Sequence, residues 1–427
     1  MATTAGSADT RSAITIGDPG AKLTESRVQH FISDQLSGVP LDGRSVCVLV
    51  PDATRSCPLP LLMHAVHHSL HERASSVTLL VALGTHAAMT DEQLAGHLGY
   101  PVADPHSVYP GMTVLNHEWW RRDCLVSVGS LSADLVHTLS GGRLRAPVDV
   151  RINKAVVEHD VTLVVGPVFP HEVVGYSGGN KYFFPGVAGP EFIDLSHWLG
   201  ALITSSEIIG ATGVTPVRAL INEAVSLVPT EKYAFCVVPD SGTRGLHAIS
   251  FGDTQSAWAD AAGISAETNV RYLQAPVRRV VSVVPARYDE IWTAAKGFYK
   301  VEPVVADGGE VILYAPHVTQ ISTTHPEILE VGYHCRDYFV KQWDTFSHFP
   351  WGVLAHCTHL RGSGSYDEQH GEHSRVKVTL ATGIPEKVVR SVNLSYLDPT
   401  SVDLAAERAD PDTLYVPDAG EVLYRLR

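Results

Sequence analysis

Cysteine is sparse in this chain and shows no pairing pattern. Six are scattered, at Cys47, Cys57, Cys124, Cys236, Cys335 and Cys357, and none stands in a CxxC pair. That removes the sequence signature of a zinc ribbon or a redox dithiol, and free thiols in a reducing cytoplasm are expected. Positive charge is also short. Thirty-two Lys and Arg against 46 Asp and Glu leave a net charge of -14 at pH 7. Such a chain is a poor general binder of nucleic acid, and no nucleic-acid partner is expected. An anionic ligand would have to find local cations. No apolar run is long enough to span a bilayer, so no membrane association is expected. Residues 1–12 are small and polar and lack the basic start and apolar stretch of a secretory signal. They are expected to be a frayed tail on a cytoplasmic protein.

What remains is an α/β pattern. With 427 residues the chain is too long for one ordinary core, and two domains are the natural expectation. Short apolar runs alternate with helical stretches. Residues 45–50, 77–83, 161–165 and 233–238 read as strands. In the second half, residues 279–284, 309–315, 377–381 and 413–416 do the same. Asp307, Gly308 and Gly309 read as a turn. Tyr288 to Lys296 reads as a helix stopped by Gly297, and residues 362–371 read as the most loop-like stretch. Thr90 with Gln93 has the spacing of a capping box. The fold expected is two α/β domains with mostly parallel sheets and the active site in the cleft between them. The domains would be residues 1–275, for cofactor and catalysis, and 276–427, for substrate specificity. The last residues are free to return to the first domain.

Histidine is abundant, with 22. His64, His67, His68 and His71 lie on one helical stretch. They read as a solvated face rather than a metal tract, because no acidic or cysteine partner shares the segment. More telling are three strand ends. The first carries Asp52, Thr54 and Arg55, the second Gly84, Thr85 and His86, and the third runs through residues 168–186. In open α/β sheets ligands gather at the carboxyl ends of strands. An arginine there can clasp a carboxylate or phosphate, with Asp52 placed to orient it. Taken singly, each is as well explained by a cap, a surface cation or a structural histidine. Together His86 and His171 suggest an acid/base pair. The third segment holds His171, Gly175, Tyr176, Ser177, Gly178, Gly179, Lys181, Pro185 and Gly186, with His197 beyond. It fits neither a Walker loop, because Asn180-Lys181-Tyr182 replaces Gly-Lys-Ser/Thr, nor a G-x-G-x-x-G fingerprint. ATP and NAD are therefore unsupported. A glycine-rich backbone can still cradle one phosphate, and a lone His197 suits a metal only if other ligands come from elsewhere.

These motifs resemble the nickel-pincer-dependent lactate racemases and their 2-hydroxyacid racemase and epimerase homologues. The likeness is strongest over residues 45–200, and Lys296 extends it. It implies a nickel-pincer nucleotide (nickel pyridinium-3-thioamide-5-thiocarboxylic acid mononucleotide) tethered to Lys181 through a thioamide, with His197 as the protein's nickel ligand. It implies His86 and His171 as the acid/base pair and Arg55 and Lys296 on the substrate carboxylate. Asp52, Thr54, Tyr176, Ser177, Gly178 and Gly179 match positions near the cofactor. The implied reaction removes the C2 hydrogen of a 2-hydroxy acid as hydride and returns it to the other face. Partners would be that small acid and, during maturation, the cofactor-biosynthesis proteins. The chain departs from the family where Trp292 and Thr293 precede Lys296, a place where more polar residues are expected. Trp343, Trp351, His348, His356, His359, Arg361, His370 and His373 crowd the C-terminal half. Substrate choice is expected there, and the polarity suits a larger hydroxylated acid of the aldonate type. Two rival readings are a zinc hydrolase using His86, His171 and His197, and a non-catalytic binder of anionic sugars or of a cofactor.

Overall fold

The computed structural model describes residues 12–241 and 245–427. The expected N-terminal tail lies, apart from Ser12, outside the described residues. The strand Ser45–Pro51 shows why the first half folds as it does. Val46, Val48 and Val50 enter one hydrophobic cluster, and Cys47 and Leu49 enter another. Side chains alternate across a strand, so an unbroken apolar run needs cover on both faces. The helices Glu25–Ser37 and Leu59–Leu70 cover one face, and Pro190–Ile203, Pro216–Ser226 and Thr254–Thr268 cover the other. The resulting sheet has seven strands, in the order Ile14–Gly17, Leu246–Gly252, Glu231–Pro239, Val161–Pro167, Ser45–Pro51, Ser76–Ala82, Met112–Asn116. Its last five strands are parallel, and the first two pair antiparallel.

The second half forms a five-stranded, wholly parallel sheet. Its order is Ser395–Tyr396, Lys377–Thr382, Val305–Ala315, Val277–Val283, Thr413–Val416. The fold is thus α/β with mostly parallel sheets. The chain end, Leu423–Leu426, pairs in parallel with Val270–Leu273, a strand that precedes the second sheet.

Several local expectations change. The expected turn at Asp307-Gly308-Gly309 lies inside the strand Val305–Ala315. Pairing jumps from Val277 with Val305 to Arg279 with Glu310, so the turn residues are taken up as a bulge with Gly308 at φ 74. Residues 362–371 are not all loop. Gly364–Asp367 pairs antiparallel with Gly371–Ser374, and polar residues throughout hid any alternation. Gly297 does not stop a helix. Two short helices, Ile291–Ala294 and Lys296–Tyr299, run through it. A Cβ at Gly297 would sit 3.0 Å from Ser282 Oγ and 3.1 Å from Leu313 Cδ2, so glycine lets this segment lie close on the sheet. His67 is buried rather than solvated, and its Nε2 lies 3.0 Å from the Pro110 carbonyl. Thr90 and Gln93 do form the capping box, opening the helix Asp91–Leu98. Among the described residues no helix is long and apolar enough to cross a membrane.

Candidate active site

Strands Val161–Pro167, Ser45–Pro51 and Ser76–Ala82 are consecutive and parallel in the sheet. Their carboxyl ends therefore share one edge, and the three motifs that follow them meet there. One pocket is lined by Asp52, Thr54, Arg55, His86, His171, Ser177, Gly178, Lys181, His197 and Lys296. Tyr176 and Gly179 do not line it. Tyr176 is fully buried in the hydrophobic core, and its carbonyl accepts a hydrogen bond from the buried Arg218 guanidinium. A Cβ on Gly179 would strike Thr254 O and Trp258 Cβ, so that glycine serves packing against the helix Thr254–Thr268.

The second half closes the pocket with two helical faces of identical spacing. Trp292, Lys296 and Tyr299 come from the short helices, and Gly352, His356 and His359 from Trp351–Arg361. Residues four and seven apart share a helix face. Trp351–Arg361 is held to Pro190–Ile203, the helix carrying His197, by Asp194, whose Oδ1 accepts the Gly352 N–H at 2.9 Å. Burial raises the Asp194 carboxyl to about 6, although two backbone N–H groups oppose the shift.

Asp52 does not orient Arg55, as its neighbour position suggested. Its Oδ1 accepts the backbone N–H (3.0 Å) and hydroxyl (2.7 Å) of Thr54, and its Oδ2 bonds His86 Nδ1. Burial raises the Asp52 carboxyl. The charge and hydrogen bond of His86, with help from Thr54 and Lys296, outweigh that and hold it well below the usual range. The ionised carboxylate fixes the proton of His86 on Nδ1, so Nε2 presents a lone pair. His171 is arranged the other way. Its Nδ1 accepts the Val173 N–H at 3.1 Å, so the neutral ring carries its proton on Nε2. Burial keeps this ring neutral, pushing it well below 6.5, and nearby Lys181, Arg55 and Lys300 add to the effect. The pocket thus holds one imidazole that presents a lone pair and one that presents an N–H.

His197 Nδ1 bonds the Ile193 carbonyl at 2.7 Å, leaving its Nε2 free. Burial lowers this ring to about 4. Burial, then Arg55, lowers the Lys181 amine to about 8 and the Lys296 amine to about 7. Glu172 is brought down to about 2 because Arg55 and Lys300 overcome the opposing effect of burial. Three buried polar atoms here lack any hydrogen-bond partner, namely Arg55 NH1, Glu172 Oε2 and His359 Nε2.

Sequence reasoning missed the structure behind His86. Trp292 Nε1–H donates to Thr85 Oγ1 at 3.1 Å, and His325 Nε2 lies 3.0 Å from the Thr85 carbonyl. His325 stacks on Trp292 with ring centres 3.8 Å apart, and Trp292 lies 4.1 Å from the His356 ring. Trp119 Nε1–H donates to the His86 carbonyl at 3.3 Å. The second half therefore clasps the loop that carries His86. No local signal linked residues so far apart in the chain. The spacing of Trp292 with Lys296, and of His356 with His359, was the one available hint.

Among the described residues no three His, Cys, Asp or Glu are grouped to hold a metal ion by themselves. A zinc site built from His86, His171 and His197 therefore lacks its ligand set. The residues present do fit a tethered cofactor. A buried amine that sheds its charge easily is one that an amide-type bond would relieve of its burial cost. His197 offers one free imidazole nitrogen, and Arg55 an unpaired cationic donor.

Residues 18–210 match the family model described as the lactate racemase N-terminal domain. The chain is 26% identical over 286 residues to a lactate racemase of Thermoanaerobacterium thermosaccharolyticum, covering 64% of this chain and 60% of that protein. It is 24% identical over 288 residues to a lactate racemase of Lactiplantibacillus plantarum, covering 66% of this chain and 62% of that one. The match thus spans about three-fifths of these curated relatives. A crystal structure of a Thermotoga maritima protein superposes with a TM-score of 0.87 at 31% identity, covering 96% of this chain and 99% of that chain. The lactate racemase apoprotein from Thermoanaerobacterium thermosaccharolyticum superposes with a TM-score of 0.69 at 19% identity, covering 95% and 94%. Residues 18–210 thus belong with the lactate racemase N-terminal domains, and the whole chain has the fold of the lactate racemase apoprotein.

Proposed function

We propose that this protein inverts C2 of a 2-hydroxy carboxylate, with His86 and His171 as acid/base groups and a nickel-pincer nucleotide as cofactor. The observation that carries this reading is the lining of one pocket by two imidazoles of opposite proton polarity together with Lys181, His197 and the unpaired Arg55. Lys181 would hold the cofactor through its Nζ and His197 the nickel through Nε2, with Thr54, Ser177 and Gly178 beside the nucleotide. When bound, the group would supply a hydride acceptor, which no side chain here can be. Arg55 and Lys296 grip the carboxylate against the protein's overall negative charge. His86 Nε2 takes the hydroxyl proton of one enantiomer, and Asp52 stabilises the imidazolium so formed. For the opposite enantiomer His171 would exchange the hydroxyl proton through Nε2, giving it up as an imidazolium and returning to the neutral ring, with the Glu172 carboxylate 3.6 Å from Nδ1 to balance the charge. In the reverse direction the roles exchange. The pocket buries the His171 ring and leaves the His86 ring partly exposed. The enzymes that make the cofactor would be needed for loading, and the protein would work in the cytoplasm.

The test is intact-protein mass spectrometry with metal analysis, after expression with and without the cofactor-making enzymes. The expected result is a covalent mass addition with bound nickel, dependent on those enzymes and absent from Lys181→Ala. Zinc with no adduct would overturn the reading.

The Lys296 amine, lowered to about 7, gives a second expectation. It is cationic below that value and neutral above it. Binding of a 2-hydroxy carboxylate should weaken about tenfold from about pH 6 to about pH 9, and Lys296→Arg should flatten the dependence because a guanidinium stays charged. Calorimetric titration across that range checks it. A wild-type affinity that does not change with pH would remove Lys296 from the carboxylate site.

A further inference from the structure

Beyond the two imidazoles and the cationic grip, the pocket has a wall without an assigned partner. Glu172 is 9% exposed and His359 is 3% exposed, and Glu172 Oε2 and His359 Nε2 make no hydrogen bond. Both side chains line the catalytic pocket, where Glu172 Oε2 also lies 3.6 Å from His171 Nδ1. Burial lowers the His359 ring to about 4, and it stays neutral. Glu172 stays ionised and can only accept. A buried polar atom left unpaired is costly, and a ligand that pairs it gains by the same amount.

His359 also lines a second cavity, together with Thr204, Ser205, Arg336, Thr358 and Ser363. Apart from Ala201 and two glycines, every residue lining that cavity has a polar or charged side chain. The imidazole is thus a wall shared between the catalytic pocket and a chamber lined by hydroxyls and by the charged Glu207 and Arg336.

We propose that Glu172 and His359 form a subsite for the hydroxyl-bearing tail of the substrate, so that the acid bound is a polyhydroxylated 2-hydroxy monocarboxylate. The proposal rests on the reading of this pocket as a 2-hydroxyacid site. Arg55 and Lys296 take the single carboxylate. Hydroxyls on the carbons beyond C2 donate to Glu172 Oε2 and exchange a hydrogen bond with His359 Nε2. A methyl group in their place leaves both atoms unpaired. A second carboxylate brings like charge against Glu172. A phenyl group meets a polar wall it cannot satisfy.

Calorimetry on the cofactor-loaded protein, with D-gluconate, D-lactate and L-malate as probes, tests this. In the wild type gluconate is expected to bind about tenfold or more tighter than either lactate or malate. Glu172→Gln and His359→Leu should each weaken gluconate by about fivefold more than lactate. Lactate or malate binding as tightly as gluconate would overturn the subsite, as would variants that shift gluconate and lactate by one common factor. If a variant does not fold, the wild-type ranking decides alone. Turnover measured on the same samples separates the two readings. Racemisation of lactate with no preference for gluconate removes the subsite and keeps the racemase. Preferential gluconate binding with no C2 inversion of any acid removes the racemase and keeps the subsite.

Discussion

Asp52→Asn is expected to lower kcat by about 10³-fold to 10⁴-fold, the loss seen when the carboxylate behind a catalytic imidazole becomes an amide. The surrounding bonds dictate this result. Thr54 donates both its backbone N–H and its hydroxyl to Asp52 Oδ1. In the variant the amide oxygen must stay on that side, because an NH2 there would face two donors. The amide NH2 is then turned toward His86 Nδ1, where the carboxylate Oδ2 had been. A donor facing Nδ1 drives the ring proton to Nε2 and removes the lone pair that would take the substrate proton. His171 already holds its proton on Nε2 through the Val173 N–H. Both imidazoles would then donate and neither would accept. Steady-state kinetics in both directions read the effect, with the loss expected mainly in kcat because Arg55 and Lys296, the proposed carboxylate grip, are left in place. Activity within about tenfold of the wild type would mean that His86 is not the proton acceptor.

Asp52 also marks how far the sequence could be read. Its position after a strand that ends among other chemistry-bearing strand ends was visible, because parallel strands deliver their carboxyl ends to one edge. Its partner was not. Adjacency suggested Arg55, but Thr54 folds back onto Oδ1 in a tight local turn, and that turn aims the second oxygen at the neighbouring strand. The two imidazoles were legible for the same topological reason. Their opposite proton polarity was not, since it depends on a backbone N–H two residues beyond His171. Glu172 stands beside His171 and drew no notice. Its importance lies in an oxygen that finds no partner, which only the packed structure reveals. The wall from the second half had a latent signal. Gly352, His356 and His359 fall on one face of a helix, but that helix is buried on nearly every side. The usual contrast between an apolar stripe and a polar face is therefore missing. The clasp of Trp292 and His325 on Thr85 joins residues more than 200 apart, and no local pattern encodes that register.

The glycines after Tyr176 carry the second large effect. Gly179→Ala is expected to destabilise the cofactor-free protein by about 2–4 kcal/mol, combining left-handed strain with overpacking. Gly179 sits at φ +56, and a Cβ there would lie 2.6 Å from Thr254 O and 2.7 Å from Trp258 Cβ. One obstacle is backbone and the other is the root of a buried side chain, so neither can swing aside. The helix Thr254–Thr268 would have to move as a body. That helix is bonded to the pocket loop along its length. Trp258 Nε1–H donates to Ser177 O at 3.0 Å, and Ser265 Oγ–H donates to Val168 O at 2.7 Å. A shift would therefore reach Ser177 and the turn Gly179–Tyr182 that presents Lys181. Gly213 provides the comparison. It has φ +84 but nothing within 4 Å of its Cβ position, so Gly213→Ala carries strain alone, about 1–2 kcal/mol. Urea unfolding of the two variants separates the contributions, and equal losses would show that packing against Thr254 and Trp258 is not what requires glycine at position 179. With the packing contribution present, Gly179→Ala should also reduce the mass addition at Lys181 in protein made with the cofactor enzymes, while Gly213→Ala, at a residue that does not line the pocket, should retain it.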